Sequence, residues 1–237
     1  MIRTILLIDP LTLLGRELLS CLVDEGFGAA DVSYCHTGDD DEHQIAELGG
    51  QPGLVPPVDD PAELPPVDVV VIASDRDTPR LRRVVEHLDA VPAQPVLDLS
   101  GLAVTRELAR VVTWHAREGG GRVRLAHPAL TAAAAVAGAL AELAPIGGSL
   151  AVVEPVSAGG REAVELLAEQ AVHRLQGGTP EALFDGHILA FNAVAWDPGR
   201  LVEDAAEALP DLPLAVTWTR SGFFHGHLAH LSLELAA

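Results

Sequence analysis

Five short apolar runs, set apart by stretches with helical spacing, constrain the fold of this chain more than any other feature. Residues 67–73 (VDVVVIA) are the clearest, and residues 4–8 (TILLI) open the series. Runs this short and continuous suit strands buried on both faces of a parallel sheet. Residues 31–35, 95–99 (PVLDL) and 123–126 complete it. Residues 13–23 place Leu14, Leu18, Leu19 and Leu22 on one side of a helix, and residues 81–88 are also helical. Strands alternating with helices predict right-handed βαβ units and a doubly wound parallel sheet. Residues 38–66 break the rhythm with an acidic run (Asp39, Asp40, Asp41, Glu42), then Gly49-Gly50 and prolines 52, 56, 57, 61, 65 and 66. That composition reads as a solvated, proline-stiffened loop.

Past Pro128 the order of elements changes. Residues 131–143 read as an alanine-rich helix, 148–156 as a strand, 157–160 as a turn and 161–175 as a helix with Val164, Leu167, Ala171 and Leu175 along one stripe. Residues 189–195, 214–221 and 226–235 read as strands of a second sheet. The expected fold class is α/β: a Rossmann-like doubly wound domain over residues 1–127, then a smaller α+β domain over residues 128–237. There is no internal repeat.

With 237 residues, 49% of them hydrophobic and only 4% aromatic, the core must be built from Ala, Val and Leu. No apolar run reaches transmembrane length, and no Lys/Arg-led leader opens the chain. Cys21 and Cys35 read as reduced core thiols of a cytoplasmic protein. A formal charge of −19 argues against nucleic acid and anionic membranes as partners.

The densest chemistry lies in residues 220–234 (RSGFFHGHLAHLSLE). Arg220 offers the planar fork that grips a carboxylate or phosphate, and His227 a group that exchanges protons near neutral pH. His225, His227 and His230 raise the question of a metal. On a strand 225 and 227 share a face and 230 points away, so no metal site is expected from them. Glu234 reads as a strand-end group facing solvent or a cation. The other place for a ligand is the turn after the first strand, residues 8–15 (IDPLTLLG). A dinucleotide site there needs glycines, and only Gly15 fits. Ser157-Ala158-Gly159-Gly160, ahead of a helix, is either an anion cradle or a plain turn.

These segments together resemble the aspartate-semialdehyde dehydrogenase family, most closely its USG-1-like paralogues lacking the catalytic cysteine. The carriers are the opening that ends at Gly15, Asp98-Leu99-Ser100-Gly101, His127-Pro128, residues 155–161 (PVSAGGR), Ala190-Phe191-Asn192 and residues 223–227 (FFHGH). The resemblance implies a dimerisation and substrate domain over residues 128–237, which stops short of the family's usual end. It implies NADPH-dependent reduction of an acyl phosphate through a cysteine thiolate. His227 matches the catalytic histidine and Arg220 the arginine that grips the substrate carboxylate. The nucleophile position is Leu130, which cannot form a covalent intermediate. The family's phosphate-binding arginine aligns with Val104, with Arg106 nearby, and its thioester-positioning glutamine aligns with Glu154. In the cofactor loop two glycines become Asp9 and Thr12, bringing like charge and a Cβ to the pyrophosphate. If a dinucleotide binds, Thr12, Leu13, Gly15, Ser157 and Gly159 are the residues the resemblance assigns to it. No cofactor is expected, with NADP or NAD the candidates by resemblance.

These departures favour an inactive family member, a pseudoenzyme acting as a homodimeric binding or partner protein. The alternative is an NAD(P)-dependent oxidoreductase acting on a semialdehyde or acyl-phosphate-like substrate without cysteine. A third reading is a structural subunit that forms a heteromer with an active paralogue.

Overall fold

The computed structural model describes residues 3–105, 110–112 and 121–236. The chain divides into two compact units. One comprises Met1–Arg110 with Ala116–Leu125, the other Val111–His115 with Ala126–Ala237.

The first unit opens with β1 (Ile5–Ile8), α1 (Leu13–Asp24) and β2 (Val32–Cys35), then a hairpin of β3 (Gln44–Leu48) and β4 (Gln51–Val55). It continues through β5 (Val69–Ile72), α2 (Pro79–Ala90) and β6 (Val96–Asp98). After β7 (Arg110–Val112), where the two units divide, comes β8 (Arg122–Leu125). The sheet runs β2-β1-β5-β6-β8-β7, and β1 pairs with β2 and β5, and β6 with β5 and β8, all in parallel. This is the doubly wound sheet expected from the continuous apolar runs. Leu6, Leu7, Ile8 and Ile72 are buried because helices cover both faces of such a sheet. Both helices begin on a threonine cap: Thr12 Oγ1 accepts the Gly15 N–H at 2.9 Å, and Thr78 Oγ1 accepts the Leu81 N–H at 3.0 Å. Cys35 is buried, but Cys21 is exposed on α1 and is not the core thiol expected.

Residues 38–66 are not a plain loop. Gly49 (φ 57°) and Gly50 (φ 80°) make the tight two-residue turn of a β-hairpin. Ala46, Leu48 and Val55 pack inward with Tyr34. A Cβ on Gly53 would sit 2.4 Å from the Tyr34 ring, so that ring closes over the hairpin backbone. The alternation in QIAEL is real but short, and the surrounding acids and prolines hide it. Arg80 ties down the acidic run: it donates to the carbonyls of Gly38 and Asp40 and pairs with the Asp41 carboxylate.

The second unit contains α3 (Pro128–Ala139), β9 (Pro145–Glu154), a 3-10 turn (Val156–Gly159), α4 (Gly160–Leu175), β10 (Ala193–Trp196), α5 (Gly199–Ala208), β11 (Leu214–Ser221) and β12 (Leu228–Leu235). Its sheet runs β10-β11-β9-β12, with β11 parallel to β9 and the other pairs antiparallel. The register sorts the side chains by face. Leu150, Val152, Val216, Trp218 and Leu231 face a core shared with Leu130 and Ala133 of α3 and Leu201 and Ala205 of α5. On the opposite face Ser149, Ala151, Ala193, Ala195, Ala215, Thr217 and His230 are exposed. Helix α5 was not legible beforehand, because its buried positions include Asp204. β10 starts at residue 193, since Phe191 takes φ 58° just before it, and β12 starts only after Gly226 at φ 88°. Among the described residues no helix is long and apolar enough to cross a membrane.

Two glycines give opposite outcomes. A Cβ on Gly148 would lie 2.0 Å from the Ser232 carbonyl oxygen on β12, so Gly148→Ala is expected to cost about 1–3 kcal/mol or more. Gly138 in α3 has open space around its Cβ and an ordinary φ, so Gly138→Ala should gain about 0.5–1 kcal/mol. Urea unfolding midpoints of the two variants check both signs.

Candidate functional site

The second unit gathers Glu154, Arg220, His127 and His227 around the carboxylate end of β9. Glu154 and Arg220 are register partners on the adjacent parallel strands β9 and β11, so both side chains project from the same face. Arg220 Nε donates to Glu154 Oε2 at 2.8 Å. The guanidinium stacks over the Trp196 ring, 4.3 Å from its centroid, with Trp218 at 5.7 Å. Among the described residues its terminal nitrogens make no hydrogen bond, so the fork is held in place by its Nε edge and keeps donors for an anion.

His127 is the residue that sequence reasoning passed over as a site group. It is the N-cap of α3, and its Nδ1 accepts the Ala129 N–H at 3.1 Å. With Nδ1 accepting, a ring proton sits on Nε2. Nε2 is buried and lies 3.4 Å from Glu154 Oε1, within ion-pair range but not aligned for a hydrogen bond. Its ring meets His227 edge to face, with centroids 4.9 Å apart. His227 reaches the cluster from the turn before β12, not from a strand. Gly226 at positive φ breaks the strand on which 225 and 227 were expected to share a face. His230 lies on β12 opposite Ala151, on the exposed face of the sheet.

Only 4% of Glu154 remains accessible. Burial pushes its carboxyl up, but the His127 ring and the Arg220 guanidinium more than offset this and hold it below the usual carboxylate range. His227 moves below the ordinary histidine value, first because it is desolvated and then because of the neighbouring His127. The Glu154 charge pulls the other way and does not prevail. The cluster therefore holds an ionised carboxylate and a neutral His227 at neutral pH.

Leu130 sits one turn into α3, fully buried at 0% exposure among Ala129, Ala133, Leu150 and Val152. It is a core residue. Ser157 and Gly159 lie on the 3-10 turn before α4. The Ser157 N–H is already donated to the Phe224 carbonyl at 3.1 Å, and that of Ala158 to Pro155, which leaves little of an anion cradle.

Thr12, Leu13 and Gly15 belong to the first unit. Here Asp9, at φ 60°, turns its own carboxyl into the loop. Asp9 accepts the Thr37 N–H at 2.6 Å, the Thr37 hydroxyl at 2.6 Å and the Ser74 hydroxyl. Thr12 Oγ1 donates to the Ala73 carbonyl at 2.7 Å. A Cβ on Gly15 would stand 2.5 Å from the Asp9 carbonyl oxygen, so this glycine serves the close approach of helix and loop. Asp9 thus places a carboxylate beside the N-terminus of α1 and takes the Thr37 and Ser74 donors for itself, an arrangement that opposes a dinucleotide phosphate there. Val104 packs against the sheet core of the first unit. Arg106 lies outside the described residues.

No protein-family model and no curated protein sequence matches the chain. Solved structures do. A probable aspartate-semialdehyde dehydrogenase from Pseudomonas aeruginosa superposes with a TM-score of 0.78 at 22% identity, covering 100% of this chain and 75% of that one. Aspartate semialdehyde dehydrogenase II from Vibrio cholerae, complexed with ASA, gives 0.78 at 14% identity with the same coverage. The enzyme from Francisella tularensis gives 0.74 at 13% identity, over 99% of this chain and 76% of that one. The likeness is one of fold: a parallel six-stranded sheet and a separate mixed sheet, in the two-domain arrangement of aspartate-semialdehyde dehydrogenases.

The site makes a pH-dependent contribution to stability. Glu154 has a depressed folded value, so its contribution is full above its ordinary value of 4.5 and is lost as pH falls through the lower folded one. His227, lowered from 6.5, acts with the same sign in the window just below that value. Glu154→Gln leaves Arg220 without its counter-charge and is expected to cost about 1–3 kcal/mol at pH 7. That deficit should shrink as the pH approaches 4. Urea midpoints of wild type and variant from pH 7 to pH 4 read this directly, and a deficit independent of pH would refute it.

Proposed function

We propose that this chain is a catalytically silent protein of the aspartate-semialdehyde dehydrogenase fold, acting as a dimeric binding or partner protein. The observation that carries the reading is Leu130. The resemblance assigns the attacking thiolate to this position, and a fully buried leucine supplies no nucleophile. No cysteine of the second unit can replace it, because Cys21 and Cys35 both belong to the first. Burial and the nearby Asp9 also push the Cys35 thiol far up, which keeps it protonated and unreactive.

Support on the cofactor side comes from Asp9. Its carboxyl engages Thr37 and Ser74, and Thr12 closes on Ala73. A dinucleotide phosphate would have to displace an anion covalently tethered in place. Support for the homodimer comes from the exposed face of the second sheet. Ala151, Ala193, Ala195, Ala215 and Thr217 form a flat patch of small residues across three strands, with Leu228 exposed at its edge. A flat face with so little charge suits a self-complementary interface.

Arg220 gives the binding role its chemistry. Its guanidinium is stacked on Trp196 and oriented by Glu154, which suits a small carboxylate held without covalent capture.

Calorimetric titration with NADPH, NADP and NAD is expected to show no binding tighter than about 100 μM, and sedimentation of the same sample should show a dimer. The protein should not oxidise aspartate semialdehyde in the presence of phosphate. Leu130→Cys alone should not restore that reaction, because the cofactor loop is also closed. Micromolar NADPH binding, or turnover lost in His227→Ala, would move the assignment to a cysteine-independent oxidoreductase. A clean monomer would remove the dimer from the proposal.

A further inference from the structure

His127, Glu154 and His227 come from three separate segments: the cap of α3, the end of β9 and the turn before β12. One ligating atom of each lies within 4.8 Å of the other two. The geometry points to a divalent transition-metal site, in which these three side chains hold an ion of the zinc, cobalt or nickel class through two imidazole nitrogens and one carboxylate oxygen.

Donor type favours it, and one donor pair already stands at ligand spacing. Two imidazoles with one carboxylate suit borderline ions and disfavour calcium or magnesium, which take oxygen. At metal–ligand distances of about 2.0–2.2 Å and a tetrahedral angle, neighbouring donor atoms stand roughly 3.3–3.5 Å apart. The His127 Nε2 to Glu154 Oε1 separation is 3.4 Å. A hydrogen bond does not account for this approach, because Nε2 is buried and lacks an aligned partner among the described residues. Such an orphan in a well-packed site calls for a reason, and a shared ion supplies one.

The placement of charge fits as well. Arg220 takes Oε2 of the carboxylate and leaves Oε1 turned towards the histidines. His227 reaches the cluster from the turn before β12. It is also exposed, so three protein ligands leave a coordination position on the solvent side for water, as in open zinc sites.

One feature sets the strength. The His127 Nδ1 accepts the Ala129 N–H, whereas a ligating histidine ordinarily donates from its second nitrogen. Loading a metal on Nε2 moves the ring proton to Nδ1 and gives up that helix-cap bond. Arg220 adds a nearby positive charge. The expected affinity is therefore micromolar, below that of closed structural zinc sites.

The test uses the full chain, stripped of metal with a chelator, then titrated with Zn2+ by calorimetry and with Co2+ by visible absorption. One equivalent is expected to bind with Kd on the order of 1–10 μM, with the intense d–d bands of low-coordinate cobalt. His227→Ala, at an exposed turn, and His127→Asn, which keeps an acceptor for the Ala129 N–H, should each weaken binding by at least about tenfold. His225→Ala, two residues away on the same turn, should leave it unchanged. Lack of stoichiometric binding below about 100 μM, or binding that survives loss of either histidine, would overturn the site. The inference stands apart from the cofactor and dimer readings, since none of its ligands belongs to the dinucleotide loop or the exposed sheet face.

Discussion

A carboxylate taken out of water loses its charge unless donors and cations replace the solvent around it. Glu154 meets that condition with one oxygen on Arg220 and the other facing His127. Much of the second unit's geometry serves this arrangement. Parallel pairing of β9 and β11 sets Glu154 beside Arg220, Trp196 and Trp218 wall the guanidinium, and the α3 cap orients the His127 ring. An Arg–carboxylate pair near a surface is worth little, but one that is nearly buried organises its neighbours, because each must avoid stranding a charge.

Much of the fold was legible because its strands are extreme in composition. Residues such as Val70, Val71 and Ile72 are buried on both sides, so no polar residue interrupts the run. The hairpin at β3 and β4 was not legible. Its hydrophobic face comprises little more than Ala46, Leu48 and Val55, and an exposed Ile45 and Leu54 blur the alternation. Helix α5 was missed for a similar reason, since a buried Asp204 sits where the apolar stripe should be. Local pattern fails where tertiary packing admits a polar group.

The site was legible in part. Arg220 and His227 stood out by residue type and Glu154 by its place in the family resemblance, and the structure gathers all three around Glu154. His127 did not stand out, because its role depends on partners 27 and 100 positions away in sequence, at Glu154 and His227. The histidines of residues 225–230 were expected to hold no metal, because on a strand 225 and 227 would share a face and 230 point away. One glycine at positive φ, Gly226, undoes the strand geometry on which that reading rested. A spacing rule holds only while the backbone keeps the period that the rule assumes.

The first unit carries the complementary lesson about Gly15. A single glycine after a strand is the remnant one looks for in a dinucleotide loop, yet here its lack of Cβ is required by the Asp9 carbonyl oxygen at 2.5 Å. Packing alone explains it. The neighbouring Asp9 accounts for the rest of the loop: its carboxyl engages the backbone and hydroxyl of Thr37 together with the Ser74 hydroxyl. Asp9 thereby gives these three donors a partner within the chain. An open phosphate loop leaves its donors waiting for the ligand and depends on that ligand to satisfy them. The loop after β1 thus carries its own anion, and the ionisable cluster of the second unit is the one around Glu154.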